Sequence, residues 1–288
     1  MGPLKNILRD QIVQQLGGEL NPRAAKEARD DGWFGPSSAA WKIHSDSCLL
    51  MGGIAALLRQ TLHPLAMAGV AEFSSYREDP WGRLYRTSSF LADIVYGDSS
   101  TAQENIERVK KIHTKIKGRD SYGREYEASD PRLLTYVHAT EIDGFLKSYE
   151  NFGGGKLKQG EGDKYIEEMS KVAVALGGAN VPRTKKELRE CLESYRQELE
   201  YGELAKEAVG FLRNPPAGLL SKIGYQPLFL AACSLIPEEE AEMLELLREK
   251  NLGQLTMCGK GVGASLRWVL GPSPVVKAAF ERAGVVND

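Results

Sequence analysis

The chain is poor in the residues from which metal cages and disulfide scaffolds are made. It has 4 cysteines in 288 residues. They stand far apart, at Cys48, Cys191, Cys233 and Cys258, with no Cys-x-x-Cys pair. That spacing argues against a structural zinc site and reads as reduced, mostly buried thiols in a cytosolic protein. Basic excess is also missing: 37 Lys and Arg stand against 39 Asp and Glu, a net charge of -2. Nothing in that balance favours nucleic acid as a partner. There is no uninterrupted run of ~20 apolar residues of the kind that spans a bilayer. The most apolar stretch, Cys48 to Phe73, is broken by Arg59, Gln60, His63 and Pro64. It reads as buried core helix and not as an integral membrane segment. The N-terminus shows no signal-peptide pattern, and Gly2-Pro3 does not fit myristoylation. The expectation is a cytoplasmic protein.

What the chain has is an ordinary globular composition, with 42% hydrophobic and 26% charged residues. Its length allows one large domain or two small ones. Helical periodicity dominates. Leu84, Leu91 and Ile94 mark one helix, ending near Gly97. Asp98 or Ser99 starts another, with Ile106, Val109, Ile112 and Ile116 on one face and Gly118 as its stop. The run Arg119 to Glu127 reads as a loop. Ser129-Asp130-Pro131 opens a long helix that runs to Gly153-Gly154-Gly155. Further helices are predicted from Glu161 to Leu176, Thr184 to Tyr201 (Thr184 with Glu187 as a capping box) and Glu203 to Leu212. Past a break at Pro215-Pro216 come Gly218 to Leu235, Pro237 to Asn251 and Ala264 to Ala283. No strand pattern, repeat or low-complexity segment stands out. The fold is predicted to be mostly α: a single multi-helix domain with a helical lead-in (1–40), a core (41–213) and a C-terminal helical extension (214–288).

Common catalytic signatures are missing. There is no HExxH and no Gly-x-Ser-x-Gly. Gly259-Lys260-Gly261-Val262-Gly263 lacks the spacing of a phosphate loop and reads as a loop or cap before a helix. No Glu-x-x-His pair supports a di-iron bundle. The histidines say more, and all four (His44, His63, His113, His138) lie in the N-terminal half. His113 continues the stripe Ile106, Val109, Ile116 and so projects inward. His138 sits between Leu134 and Ile142, with Glu141 one turn on. A buried neutral imidazole needs a hydrogen-bond partner or a metal. His138 either pairs with a glutamate to tie helices together or serves as an iron ligand or acid–base group. His63 precedes Pro64, which removes a backbone donor beside the imidazole. His44 is placed to bond Asp46 in a turn. Arg83, Arg86 and Thr87 share a helix face with Phe90 and Ile94. Guanidiniums there need anions: either Glu72, Glu78 or Asp79, or a cofactor propionate, an oxygen species or a substrate acid.

Taken together these segments resemble a known family, the catalytic domain of MpaB-type oxygenases and rubber oxygenases (latex clearing proteins). The resemblance rests on Trp41-Lys42-Ile43-His44-Ser45-Asp46, on Leu62-His63-Pro64-Leu65-Ala66-Met67-Ala68-Gly69-Val70, and on Arg77 through Thr87. It continues in Tyr96-Gly97-Asp98, His113 through Gly118, and Tyr126 through Pro131 into Val137-His138-Ala139-Thr140-Glu141. It covers about half of the chain, in the expected order.

The resemblance implies an all-helical, distantly globin-like fold that binds haem b, and an oxygenase that uses dioxygen on a small lipophilic, unsaturated substrate. His113 is the nearest match to the family's axial iron ligand, with His138 as the alternative or as a pocket residue. Arg83, Arg86 and Thr87 match the distal residues and would polarise bound dioxygen or anchor a propionate. His63 and Glu72 would serve as acid–base groups. Where the family has a lysine able to ligate iron, this chain has Arg86, whose guanidinium keeps its proton. A haem sensor or carrier without catalysis, and a haem-free helical ligand-binding protein, are the rival readings. Oligomerisation of the chain with itself stays open.

Overall fold

The structure, a computed structural model, describes residues 3–15, 18–215, 219–246 and 252–285. Among them are fifteen α-helices: α1 (Pro3–Gln15), α2 (Arg23–Glu27), α3 (Ala39–His44), α4 (Leu49–Gln60), α5 (Pro64–Phe73), α6 (Pro80–Tyr96), α7 (Ser99–His113), α8 (Pro131–Phe152), α9 (Glu161–Leu176), α10 (Lys185–Glu193), α11 (Glu203–Arg213), α12 (Leu219–Cys233), α13 (Glu238–Met243), α14 (Leu252–Leu270) and α15 (Pro274–Arg282). The protein is a single, mostly α domain, as expected.

Helix ends follow the local chemistry of the sequence. Asp79, Asp98, Asp130 and Thr184 each accept a hydrogen bond from a backbone N–H of the first turn of α6, α7, α8 and α10. Pro64, Pro80, Pro131 and Pro274 open their helices, where a missing N–H costs nothing. The apolar stretch 48–73 is divided at His63-Pro64 into α4 and α5. Among the described residues no helix is long and apolar enough to cross a membrane.

Several of these expectations fail. The segment read as a loop from Arg119 to Glu127 is most of a small antiparallel hairpin, β1 (Lys117–Arg119) and β2 (Glu125–Glu127), with Gly118 opposite Tyr126. Strands of three residues are too short for alternation to show. The glycine-rich run 259–263 lies inside α14 and is no loop. A Cβ at Gly259 would come within 2.3 Å of the Phe152 ring, and one at Gly263 within 2.8 Å of its carbonyl. These glycines let α14 settle on the end of α8, against their low helix propensity. The helix predicted from Ala264 to Ala283 is two helices, parted at Gly271 (φ +64°), where Ser273 caps α15. The stretch Thr184 to Tyr201 forms only α10 and one 3-10 turn, Arg196–Glu198. Pro216 and Gly218, and the end of the stretch predicted to Asn251, lie outside the described residues. Ile112, expected to face inward with Ile106, is 51% exposed.

The core is built on α8 against α4. Their backbones cross at two glycines: a Cβ on Gly52 would stand 2.6 Å from the Gly144 carbonyl oxygen, and one on Gly144 2.5 Å from that of Gly52. Near this crossing Arg59 of α4 is buried but fully paired. Its Nε donates to Glu240 Oε2 at 2.5 Å, its Nη2 to Glu240 Oε1 at 2.8 Å and its Nη1 to Asp143 Oδ2 at 2.5 Å. Trp41 of α3 is the second anchor. It is fully buried, its Nε1 donates to Val95 O at 2.7 Å, and the Tyr96 and Phe280 rings lie 5.3 Å away. Arg282, two residues beyond Phe280, donates from Nη1 to Ala25 O at 2.8 Å and Tyr96 O at 3.1 Å.

Candidate functional site

The candidate residues come from α5 through α8, and the structure separates them into partnered and unpartnered groups. His63, the residue before α5, is buried between the rings of Tyr136 (5.0 Å) and Tyr195 (6.2 Å). Its Nε2 is 3.6 Å from Glu198 Oε2, too far for a hydrogen bond. Burial lowers its pKa, with Glu198 opposing in part. Glu198 is itself held by Arg132. The aromatic cage around His63 comes from α8 and the 3-10 turn, which the sequence did not point to.

Glu72, in the last turn of α5, is exposed and accepts a hydrogen bond from the Tyr126 hydroxyl. This contact pins the β hairpin onto α5, where Tyr126 is buried beside Gly69 and Gly118. Burial and Glu72 together push the Tyr126 phenol up to about 12.

Arg83, Arg86 and Thr87 do not share one environment. Arg86 is exposed and paired, with Nη1 3.3 Å from Asp79 Oδ2 and Nη2 donating to Ser75 Oγ at 3.0 Å. Thr87 is exposed, and its hydroxyl donates back to Arg83 O at 3.2 Å. Arg83 is half-buried and makes no hydrogen bond or salt bridge with any described residue. Burial, and to a lesser degree Arg86, lowers its pKa. The Tyr76 hydroxyl beside it is buried and also lacks a hydrogen-bond partner among the described residues. The nearby Glu207 is taken by Arg77, at 2.5 and 2.9 Å.

α7 follows α6 after Gly97, and Asn105 Nδ2 of α7 stands 3.5 Å from Asp93 Oδ2 of α6 near that turn. His113, the last residue of α7, is half-buried, its Nδ1 is buried without a partner among the described residues, and burial lowers its pKa.

His138 is buried about 10 Å into α8. Its Nε2 has no hydrogen-bond partner among the described residues, and burial lowers its pKa to about 4. The His–Glu pair that would have given it a purely structural role is not made. Glu141 is half-buried, has no hydrogen bond or ion pair with any described residue, and is pushed up to about 7 by burial. His44, expected to bond Asp46, turns the other way. Its Nε2 is 3.1 Å from the Tyr165 hydroxyl of α9, and Phe145 of α8 meets its ring edge-on at 5.3 Å. Asp46 instead receives Cys48 N, Gly154 N and Arg267. Neither Tyr165 nor Glu141 stood out as a site residue in the sequence, although Glu141 follows His138 by one turn.

Among the described residues no three His, Cys, Asp or Glu come together as a metal cage. What the site offers is single imidazoles and a half-buried guanidinium, none with a partner among the described residues, and a half-buried carboxyl of raised pKa. A metal carried by a macrocycle asks the protein for no more than one such imidazole, with a cation for its acidic side chains. The residues therefore fit a haem.

The chain is of the oxygenase class: residues 41–268, from α3 through most of α14, match the family described as ER-bound oxygenase mpaB/B'/Rubber oxygenase, catalytic domain. With more than two thirds of its length in that match, the chain belongs to the mpaB/rubber oxygenase catalytic-domain family. No curated protein and no solved structure matches it.

Proposed function

We propose that the chain is a haem b oxygenase acting with dioxygen on a small lipophilic, unsaturated substrate. The observation that carries this reading is a set of unpaired, chemically active side chains inside an oxygenase-family domain. Among the described residues His113, His138 and Arg83 have no hydrogen-bond or ion-pair partners, where a structural role would have supplied them. Haem, when bound, supplies the redox chemistry with dioxygen. His113 would hold it through a ring nitrogen that no described residue engages. Arg83 presents an uncompensated positive charge, which favours a propionate or a developing negative charge in a water-poor site. His138 lines the substrate pocket. His63, kept neutral by its aromatic cage, is the acid–base candidate that remains inside the protein. Arg86, Thr87 and Glu72 receive no chemical role here: they are exposed and their polar groups already have partners.

The visible spectrum of protein from haem-sufficient cells tests the reading. The expected result is a stoichiometric Soret band that His113→Ala abolishes while helical circular dichroism persists. Loss of the band in His138→Ala but not in His113→Ala would move the iron ligand to α8. Colourless protein that takes up no added haemin would overturn haem dependence. A Soret band that responds to oxygen, with no alkene consumed, would favour the sensor or carrier.

A further inference from the structure

The face of α8 turned to α3 and α9 has a sequence of its own. Leu134, His138, Glu141 and Phe145 follow at steps of four, three and four residues and so form one stripe. Its ends are apolar and its middle is not. His138 Nε2 is buried without a partner, and Glu141 one turn on makes no hydrogen bond or ion pair with any described residue. Tyr165 of α9 stands near Glu141, with Glu168 also close to it, and His44 of α3 lies between Tyr165 and the Phe145 ring. His44 and Tyr165 satisfy each other at 3.1 Å. Glu168 accepts from Ala40 N at 2.8 Å and stands near Lys164. None of them pairs with His138 or Glu141.

Two unsatisfied groups on adjacent turns have Cβ atoms about 5–6 Å apart. One oxygen that both donates and accepts can bond to both. A hydrocarbon would leave the buried His138 Nε2 unpaired and would cover the half-buried Glu141 carboxyl without pairing it, which is unfavourable. A carboxylate would meet the charge of Glu141. We propose that His138 and Glu141 bind the hydroxyl group of an otherwise apolar ligand, between Leu134 and Phe145, so that the substrate is a lipophilic alcohol. The word substrate rests on the oxygenase reading; the binding site does not.

The test is calorimetric titration of the full chain, as purified, with 1-octanol and 1-methoxyoctane. The ether keeps the chain and the oxygen but has no proton to give. The expected result is that 1-octanol binds about tenfold tighter, the size of one lost hydrogen bond to a buried acceptor. In Glu141→Leu the ratio falls to near one while the ether still binds. His138→Phe carries the same expectation should Glu141→Leu fail to fold. A wild-type ratio within about twofold, or an unchanged ratio in either folded variant, overturns the site. So does octylamine binding more tightly than 1-octanol, which would make this a cation site. The Soret band is recorded separately. Colourless protein that prefers 1-octanol sinks haem dependence alone, and haem-loaded protein without that preference sinks the hydroxyl site alone.

Discussion

At the scale of single residues, the buried imidazoles and Glu141 set opposing trends with pH. Burial lowers His44 and His138 to about 4, whereas an unfolded histidine titrates near ~6.5. Between those values the unfolded chain binds more protons, so these two residues reduce stability as pH falls below ~6.5. Glu141 is raised to about 7 from an unfolded value near ~4.3. Over that span the folded chain binds its proton more tightly, so Glu141 reduces stability as pH rises. Two histidines act against one carboxyl, and the melting temperature is expected to rise from pH 5 to pH 6.5. Glu141→Gln should steepen the rise and His138→Phe should flatten it, each by on the order of 1–3 kcal/mol in urea melts. A profile unmoved by either substitution would contradict the burial argument. Helical spacing was enough to turn His138 inward. It did not reveal that Arg83 is half-buried and Arg86, three residues on, exposed, because burial is set by tertiary packing and leaves no trace in the spacing within α6.

At the scale of elements, the crossing of α4 and α8 depends on two missing side chains. Gly52→Ala places a methyl 2.6 Å from a backbone carbonyl that has nowhere to go. The expected cost is about 1–3 kcal/mol in urea denaturation, the reverse of the usual gain from replacing a helical glycine by alanine. Stabilisation by Gly52→Ala would show that the helices can slide apart. Most helix starts could be read in the sequence because capping is local: an aspartate or threonine, then proline or a first turn. The β hairpin and the course of α14 could not. Gly259 and Gly263 look like breakers until the Phe152 ring and carbonyl are placed against them, and Phe152 is more than a hundred residues away in the chain.

At the scale of the whole molecule, Arg59 is the tie between the central pair and the helices beyond residue 214. Arg59→Met leaves Asp143 and Glu240 without the guanidinium they share, and among the described residues Lys147, 2.7 Å from Asp143, is the cation that still pairs with one of them. The expected loss is about 3–5 kcal/mol, read by calorimetry, with much of it recovered when Asp143 and Glu240 are also replaced by apolar residues. The all-helical class followed from periodicity alone. Arg59 seemed only an interruption in an apolar run, since a salt bridge across 181 positions has no sequence pattern.

The ring of Phe280 against Trp41, and the bond from Arg282 to Ala25, also bear on how the chain is made. Trp41 leaves the ribosome long before Phe280 and Arg282, the side chains that seal it. Until residue 282 has emerged, a large indole and the neighbouring Tyr96 stay uncovered on a nascent chain that already holds most of its helices. That interval is when chaperones would find their binding site. Halting synthesis at Gly271 should leave ribosome-bound chains that are helical yet cut readily by protease beside Trp41, while a stall that leaves α15 clear of the exit tunnel should protect them.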